Sequence, residues 1–306
     1  MAIQWYPGHM HKASKEMAEV LSRVDVVIEL IDARIPFSTS NPVIKALSEG
    51  TPSLKILTKA DLADPQTTQL WRAKLEKDEQ TRTFAYDVKA DAKTDEIVSL
   101  CWQLAPKKTG VTNLVMVAGT PNVGKSTLIN ALAGRHMART GDEPAVTKGQ
   151  QRINLRNGIM LLDTPGILWP KIENVQSSYR LATCGAIKNT AVTYTEIAFF
   201  AADYLLRHYP QLLTERFNFS ALPSTESALL QLIGSQRGCL QAGGKVDLER
   251  VSTIFVNELR AGTLGRISFE TPSMIAQELS EVLALKAEKA LQETARWEKR
   301  QRRKRR

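Results

Sequence analysis

The stretch GTPNVGKST, residues 119–127, has the spacing G-x-x-x-x-G-K-S. Each fixed position suits a polyphosphate. Gly119 and Gly124 let backbone N–H groups turn toward anionic oxygens, Lys125 brings a cation to the β and γ charge, and Ser126 offers a hydroxyl to Mg²⁺. Asn122, Val123 and Thr127 complete the turn that would wrap the phosphates. An apolar run precedes the stretch and a helical pattern follows it, which separates it from a chance glycine turn. A second piece, LLDTPG at 161–166, ends an apolar run in Asp163 and places Gly166 three residues on. There Asp163 would hold Mg²⁺ through water and the Gly166 N–H would meet the γ-phosphate.

The third piece is TKAD, residues 58–61. A strand ending in Lys-x-Asp is the base-reading element of GTPases. Asp61 can accept two hydrogen bonds from guanine N1 and N2, a donor pair that adenine lacks, with Thr58 and Lys59 beside it. In the usual GTPase order this element follows the Asp-x-x-Gly piece. Here it comes about 60 residues before the phosphate loop. The order base-reading, phosphate loop, switch is the usual one cut and rejoined, so the first 118 residues supply the second half of the sheet. Such a permutation costs little when the original termini lie close together.

The elements that must hold these pieces follow a simple alternation. VDVVIELIDAR (24–34), SLKILTKADL (53–62), TRTFAY and NLVMVAG read as buried parallel strands. Helical patterns lie between them: PVIKALSEG, DPQTTQLWRAKLEKD with Asp64 as N-cap and Pro65 at the first helical position, and TDEIVSLCWQLA. After the phosphate loop come a helix (125–133), an irregular stretch (135–149), and the strands QQRINLR and GIMLLDT joined by the turn Asn157-Gly158. Alternating strands and helices imply a doubly wound, mostly parallel α/β sheet. From about residue 174 only helical patterns occur, with a Gly-rich break at RGCLQAGGKVD and a long helix from Pro272. The expected division is a permuted nucleotide domain over 1–173, an all-α domain over 174–294 and a basic tail over 295–306.

The chain of 306 residues is 43% hydrophobic and 24% charged, and it contains no apolar run long enough to span a bilayer. No basic-then-apolar leader opens it, and three scattered cysteines without metal-ligand spacing suggest buried free thiols in a reducing, cytoplasmic compartment. The last twelve residues, ARWEKRQRRKRR, hold eight Lys or Arg against one Glu and so carry +7 of the net +9. Such a tail binds phosphate backbones with little sequence information, or serves only as a solubilising end. It lacks the apolar face a lipid surface would want, which favours RNA.

On these pieces the chain resembles the circularly permuted GTPases of the ribosome biogenesis GTPase A type. The resemblance covers nearly the whole chain through WYPGHMHKA (5–13), DARIPFSTSNP (32–42), TKADL, GTPNVGKSTLIN, VTKGQ, LLDTPG, RGCLQAGGKVD and ELRAGTLGRISFE. It implies a GTPase using GTP, GDP and Mg²⁺, acting as a monomer on the large ribosomal subunit, its rRNA and ribosomal proteins, with hydrolysis timing a late assembly step and release. It also implies that Thr147 closes the Mg²⁺ site, that Asn122 supports a K⁺ ion, and that His9 is the catalytic candidate with Lys125, Thr147 and Gly166.

The chain departs from the family pattern at Thr58, where an Asn is usual, at Ala145 in the switch segment PAVT (144–147), and at Ile167, where many GTPases carry a water-orienting Gln. The remaining base-side loop falls near 85–91 with no residue assigned. Other readings of the residues stay open. His9 is a catalytic group or an ordinary surface histidine, Asn122 a K⁺ support or a turn residue, and the whole chain a GTPase or a nucleotide-gated RNA-binding module with vestigial hydrolysis. A metabolic phosphate-loop kinase is disfavoured by TKAD and by the lack of a second-substrate motif.

Overall fold

The protein is described from a computed structural model covering residues 3–87, 94–108, 110–134, 151–188 and 190–304. The switch segment with Ala145 and Thr147, and residues 88–91 of the remaining base-side loop, lie outside the described residues. The elements run α1 (Gly8–Leu21), β1 (Val26–Asp32), α2 (Pro36–Thr39), α3 (Pro42–Leu47), β2 (Ser53–Thr58), α4 (Pro65–Leu75), β3 (Thr81–Ala85), α5 (Thr94–Leu104), β4 (Asn113–Gly119), α6 (Lys125–Ala133), β5 (Gln151–Asn154) and β6 (Ile159–Asp163). Helices follow: α7 (Val175–Thr183), α8 (Tyr194–His208), α9 (Pro210–Phe217), α10 (Glu226–Gln236), α11 (Leu248–Ala261) and α12 (Pro272–Lys304). The expected strands and helices are present, and α1, α2, α7 and α9 are additions that the sequence reading had not placed.

The sheet has the order β3-β2-β1-β4-β6-β5, parallel except for β5, which runs antiparallel to β6. Every residue of β1 is buried, as a strand covered on both faces must be. Val26, Ile28 and Leu30 face α5 and α6 with Val115, Val117 and Leu161, while Val27, Met116 and Leu162 face the opposite side. That second face is covered by α1 and by the helices after β6 in one continuous apolar cluster from Ile3 to Phe269. In α1, Met10, Ala13, Met17 and Leu21 are buried, the spacing that puts one stripe of a helix inward. Local capping agrees with the pattern. Asp64 accepts a hydrogen bond from the Thr67 N–H at 2.7 Å, with Pro65 leading α4, and Thr193 and Glu196 form a capping box on α8. The three cysteines are buried and free, as expected. Among the described residues no helix is long and apolar enough to cross a membrane.

One buried polar network fastens the helices to the sheet. Arg180 of α7 donates to both carboxylate oxygens of Glu278 on α12, and its Nη1 lies 3.6 Å from Glu270. Glu270 also accepts from the N–H groups of Phe37 and Ser38 and from the Ser38 hydroxyl. Arg180 is 2% exposed and Glu270 is fully enclosed. Burial pushes the Glu270 carboxyl up to about 7 against the pull of Arg180 and Ser38. Removing one partner of a buried ionic group costs about 3–5 kcal/mol, so Arg180→Met should lower the urea unfolding free energy by about that amount. Because the folded carboxyl titrates above its ordinary value of 4.5, its contribution is full below pH 4.5 and is lost as pH rises through 7. The Glu270→Gln variant should therefore show a shallower fall of unfolding midpoint between pH 5 and 8 than the unsubstituted chain.

Candidate functional site: the carboxyl ends of the central strands

Parallel pairing sets the site. β1 lies between β2 and β4 with Asp32 opposite Thr58 and Leu30 opposite Gly119, and β4 places Val117 opposite Asp163. The base-reading, phosphate and switch pieces therefore emerge from one edge of the sheet, at the point where the strand order reverses. Open α/β sheets bind ligands there.

The phosphate loop turns through Asn122 at φ 57° and Gly124 at φ 99°, backbone values that only the second residue adopts without strain. Gly124 opens α6, whose N-terminus directs its first backbone N–H groups and its dipole at the loop. Lys125 is buried, and burial pulls its ammonium down while the Asp163 carboxylate supports its charge. Its Nζ sits against Gly166: a Cβ there would lie 3.0 Å from Lys125 Nζ and 2.9 Å from Pro121 Cα. The close approach, and not turn geometry, demands glycine at 166.

Asp163 is 1% exposed, and neither of its carboxylate oxygens accepts a hydrogen bond among the described residues. Burial raises its carboxyl to about 6, opposed by Lys125. A buried carboxylate without donors among the described residues is costly to keep charged and a good partner for a hydrated divalent cation. The residues present thus fit Mg²⁺ held by Asp163 through water, with the half-buried Ser126 hydroxyl from the loop. Thr120, also fully buried, has no partner for its hydroxyl among the described residues.

The base-reading loop is tied to the phosphate loop by the substituted residue. Thr58 donates to the Val123 carbonyl at 2.6 Å, with Ile31 O at 3.2 Å, and is 2% exposed. The shorter side chain therefore retains the bracing contact to the phosphate loop. Lys59, at φ 55°, pairs with Asp32 at 3.0 Å. Asp32 is also gripped by Arg34 at 2.8 Å; burial works against its charge, but the Arg34 and Lys59 cations hold its carboxyl well below the usual range. Asp61 is half-buried in the same loop, and Ala60 donates to Tyr86 O at 3.2 Å, bringing the start of the remaining base-side loop alongside.

Three expected residues deserve separate placement. Ile167 is fully buried, its N–H on Gly119 O at 3.2 Å and its carbonyl accepting from Asn41 at 2.9 Å, so it closes the core and positions no water. Asn122 donates through Nδ2 to Gly185 O at 2.9 Å, linking the phosphate loop to the turn after α7. His9 is exposed at the start of α1 and makes no hydrogen bond among the described residues, although its neighbour Met10 packs against Leu168 just beyond Gly166, with Sδ accepting from the Leu168 N–H at 3.4 Å. Asp32, Arg34 and Arg266 were not singled out as site residues. The signal was present in DARIPFSTSNP and ELRAGTLGRISFE, but only contacts across the fold give those stretches a role.

A phosphate loop, an Asp-x-x-Gly turn and a Lys-x-Asp loop at the carboxyl ends of three parallel strands of one sheet, in this rearranged chain order, define a circularly permuted P-loop GTPase. The family model described as 50S ribosome-binding GTPase matches residues 114–211. The ribosome biogenesis GTPase A of Bacillus cereus is 41% identical over 291 residues, covering 92% of this chain and 98% of that protein. That of Priestia megaterium is 42% identical over 289 residues, covering 91% and 100%. The structure of GNP-bound YlqF from T. maritima superposes with a TM-score of 0.60 at 27% identity, over 85% of this chain and 98% of that one. The chain belongs to the ribosome biogenesis GTPase A family, and it is a GTP hydrolase.

Asp163→Asn should separate two measurements. Without nucleotide, the carboxamide removes the burial cost of the Asp163 carboxylate but leaves the buried Lys125 ammonium without its support, so the thermal midpoint should move by no more than about 2–4 °C. With GTP, Mg²⁺-dependent binding measured by calorimetry should be lost. Gly166→Ala, which drives a methyl into Lys125 and Pro121, should lower kcat by about tenfold or more and weaken GDP binding as well, since Lys125 also meets the β-phosphate.

Proposed function

We propose that this GTPase times a late step in the assembly of the large ribosomal subunit, binding its precursor in the GTP state and leaving after hydrolysis. The names of the relatives support ribosome assembly, and the family description supports the large subunit. The observation that carries a timing role is the direct contact between nucleotide loops and helical region. Asn122 of the phosphate loop bonds Gly185, and Arg260 of α11 donates to Thr183 O at 2.9 Å and Ala182 O in the adjoining turn. A change at the γ-phosphate has a short mechanical route into the helices. We assign 1–173 to nucleotide turnover, 174–294 to the ribosomal contact and the polycationic 295–306 to RNA backbone, in a cytoplasmic monomer.

In the hydrolytic step Lys125 neutralises phosphate charge and the Gly166 N–H orients the γ-phosphate. Ser126, Asp163 and, on the resemblance, Thr147 would hold Mg²⁺, which would supply positive charge to the phosphates. Since Ile167 is locked in the core, the water must be oriented from elsewhere, and His9 on the neighbouring helix is the residue we assign to it. The Asn122 oxygen is the group we assign to K⁺. The intact Lys125, Asp163 and Gly166 arrangement favours this reading over a binding module with vestigial hydrolysis.

GTP turnover should rise on adding purified large subunits, more in K⁺ than in Na⁺, with ATP inert. His9→Ala should remove about 10²-fold or more of the stimulated rate. Flat turnover in every condition, or an unaffected His9→Ala variant, would overturn the corresponding assignment.

A further inference from the structure

The segment between α11 and α12 runs beside the base-reading loop and holds its backbone group by group. Arg266 donates from Nε to Ala63 O at 3.0 Å and from Nη2 to Ala60 O at 2.9 Å. The Ile267 N–H donates to Leu62 O at 2.9 Å, and the Ser268 hydroxyl accepts from the Asp64 N–H at 3.1 Å. Gly262, at the end of α11, lies so close to Leu62 that a Cβ on it would come within 2.6 Å of Leu62 Cδ2. Beyond the loop, Phe269 N–H bonds Arg34 O at 2.8 Å and Trp71 Nε1 bonds Glu270 O at 3.0 Å, which keeps the segment in register. The loop carrying Asp61 is thus clamped by residues some 200 positions away in sequence.

Arg266 spans the loop from Ala60 to Ala63, and Asp61 sits inside that span. A carboxylate that must accept two parallel hydrogen bonds from one base edge depends on tight backbone placement, because such bonds weaken steeply when misaligned. Arg266 itself is exposed, whereas Ile267 and Ser268 are buried, so the guanidinium is the part of the clamp that can be removed without opening the core. We propose that Arg266, from the helical side of the molecule, is a positioning residue for guanine selection: it fixes the loop so that Asp61 engages N1 and N2 together. The inference rests on the reading of Asp61 as the base-reading carboxylate. It also makes the helical region a determinant of which nucleotide is bound, in addition to a receiver of the γ-phosphate signal.

The test compares GDP with IDP, whose base keeps N1–H and lacks the 2-amino group. Calorimetric titration of the full chain should give GDP the tighter binding by about tenfold or more, the usual penalty when a site built for a hydrogen bond loses its partner. In Arg266→Ala, GDP affinity should fall while IDP affinity changes little, compressing the ratio about fivefold, with kcat at saturating GTP nearly unchanged. Arg266→Lys, which can restore one of the two donations, should recover part of the ratio. Arg216→Ala removes an equal charge from the helical region without touching the loop and should leave the ratio intact. Equal losses for GDP and IDP in Arg266→Ala, or compression of the ratio in Arg216→Ala, would overturn the proposal and make Arg266 a fold staple. A parent chain with no preference for GDP over IDP would overturn the Asp61 reading and the proposal together.

Discussion

The hydrogen bond from the Thr58 hydroxyl to the Val123 carbonyl joins two loops that lie 65 residues apart in the chain and must work on one nucleotide. It spans the seam created by the permutation. The base-reading loop ends β2 and the phosphate loop follows β4, and β1 between them keeps the two in parallel register. If that brace or that register failed, the residues that read guanine and those that cradle phosphate would no longer share a ligand. Asp32 adds a second tie, since the same carboxylate holds Arg34 at 2.8 Å and Lys59 at 3.0 Å beneath the base-reading loop.

Around this brace the site is set up at some cost to the apoprotein. Lys125 and Asp163 are both buried, and among the described residues the Asp163 oxygens have no hydrogen-bond donor. Two ionisable groups withdrawn from water with incomplete compensation are the mark of a site completed by ligand. Gly166 closes on the Lys125 ammonium from the other side, so the switch turn and the phosphate loop move as one packed unit or clash. The helical region is in contact with both ends of this unit, through Gly185 on Asn122 and through Arg266 on Ala60 and Ala63.

The motif positions and their order were legible in the sequence because each depends on local spacing and on an apolar strand that ends where the polar residues begin. The permutation was legible for the same reason: Lys-x-Asp before the phosphate loop puts the first 118 residues in the second half of the sheet, and β3, β2 and β1 lie together on one side of β4. What stayed hidden was long-range. Arg266 reads as one more exposed cation until the fold lays it across two carbonyls some 200 residues upstream. Arg180 and Glu270 carry no local signal that they are buried together. Thr58 reads as a weakened base contact, and only the distance to Val123 shows that the brace survives. α1 was missed because its buried stripe of Met10, Ala13, Met17 and Leu21 is interrupted by many polar residues, which are exposed or half-buried.

The contacts of Asn122 with Gly185 and of Arg266 with Ala60 and Ala63 imply that the nucleotide loops and the helical region form one mechanically coupled unit. Hydrogen–deuterium exchange of the full chain, with GDP and then with a non-hydrolysable GTP analogue and Mg²⁺, tests it most directly. Backbone amides in 182–187 and 260–270 should change protection together with those around Gly166. Exchange in those helical segments that is identical in the two states, while the Gly166 turn responds, would contradict it.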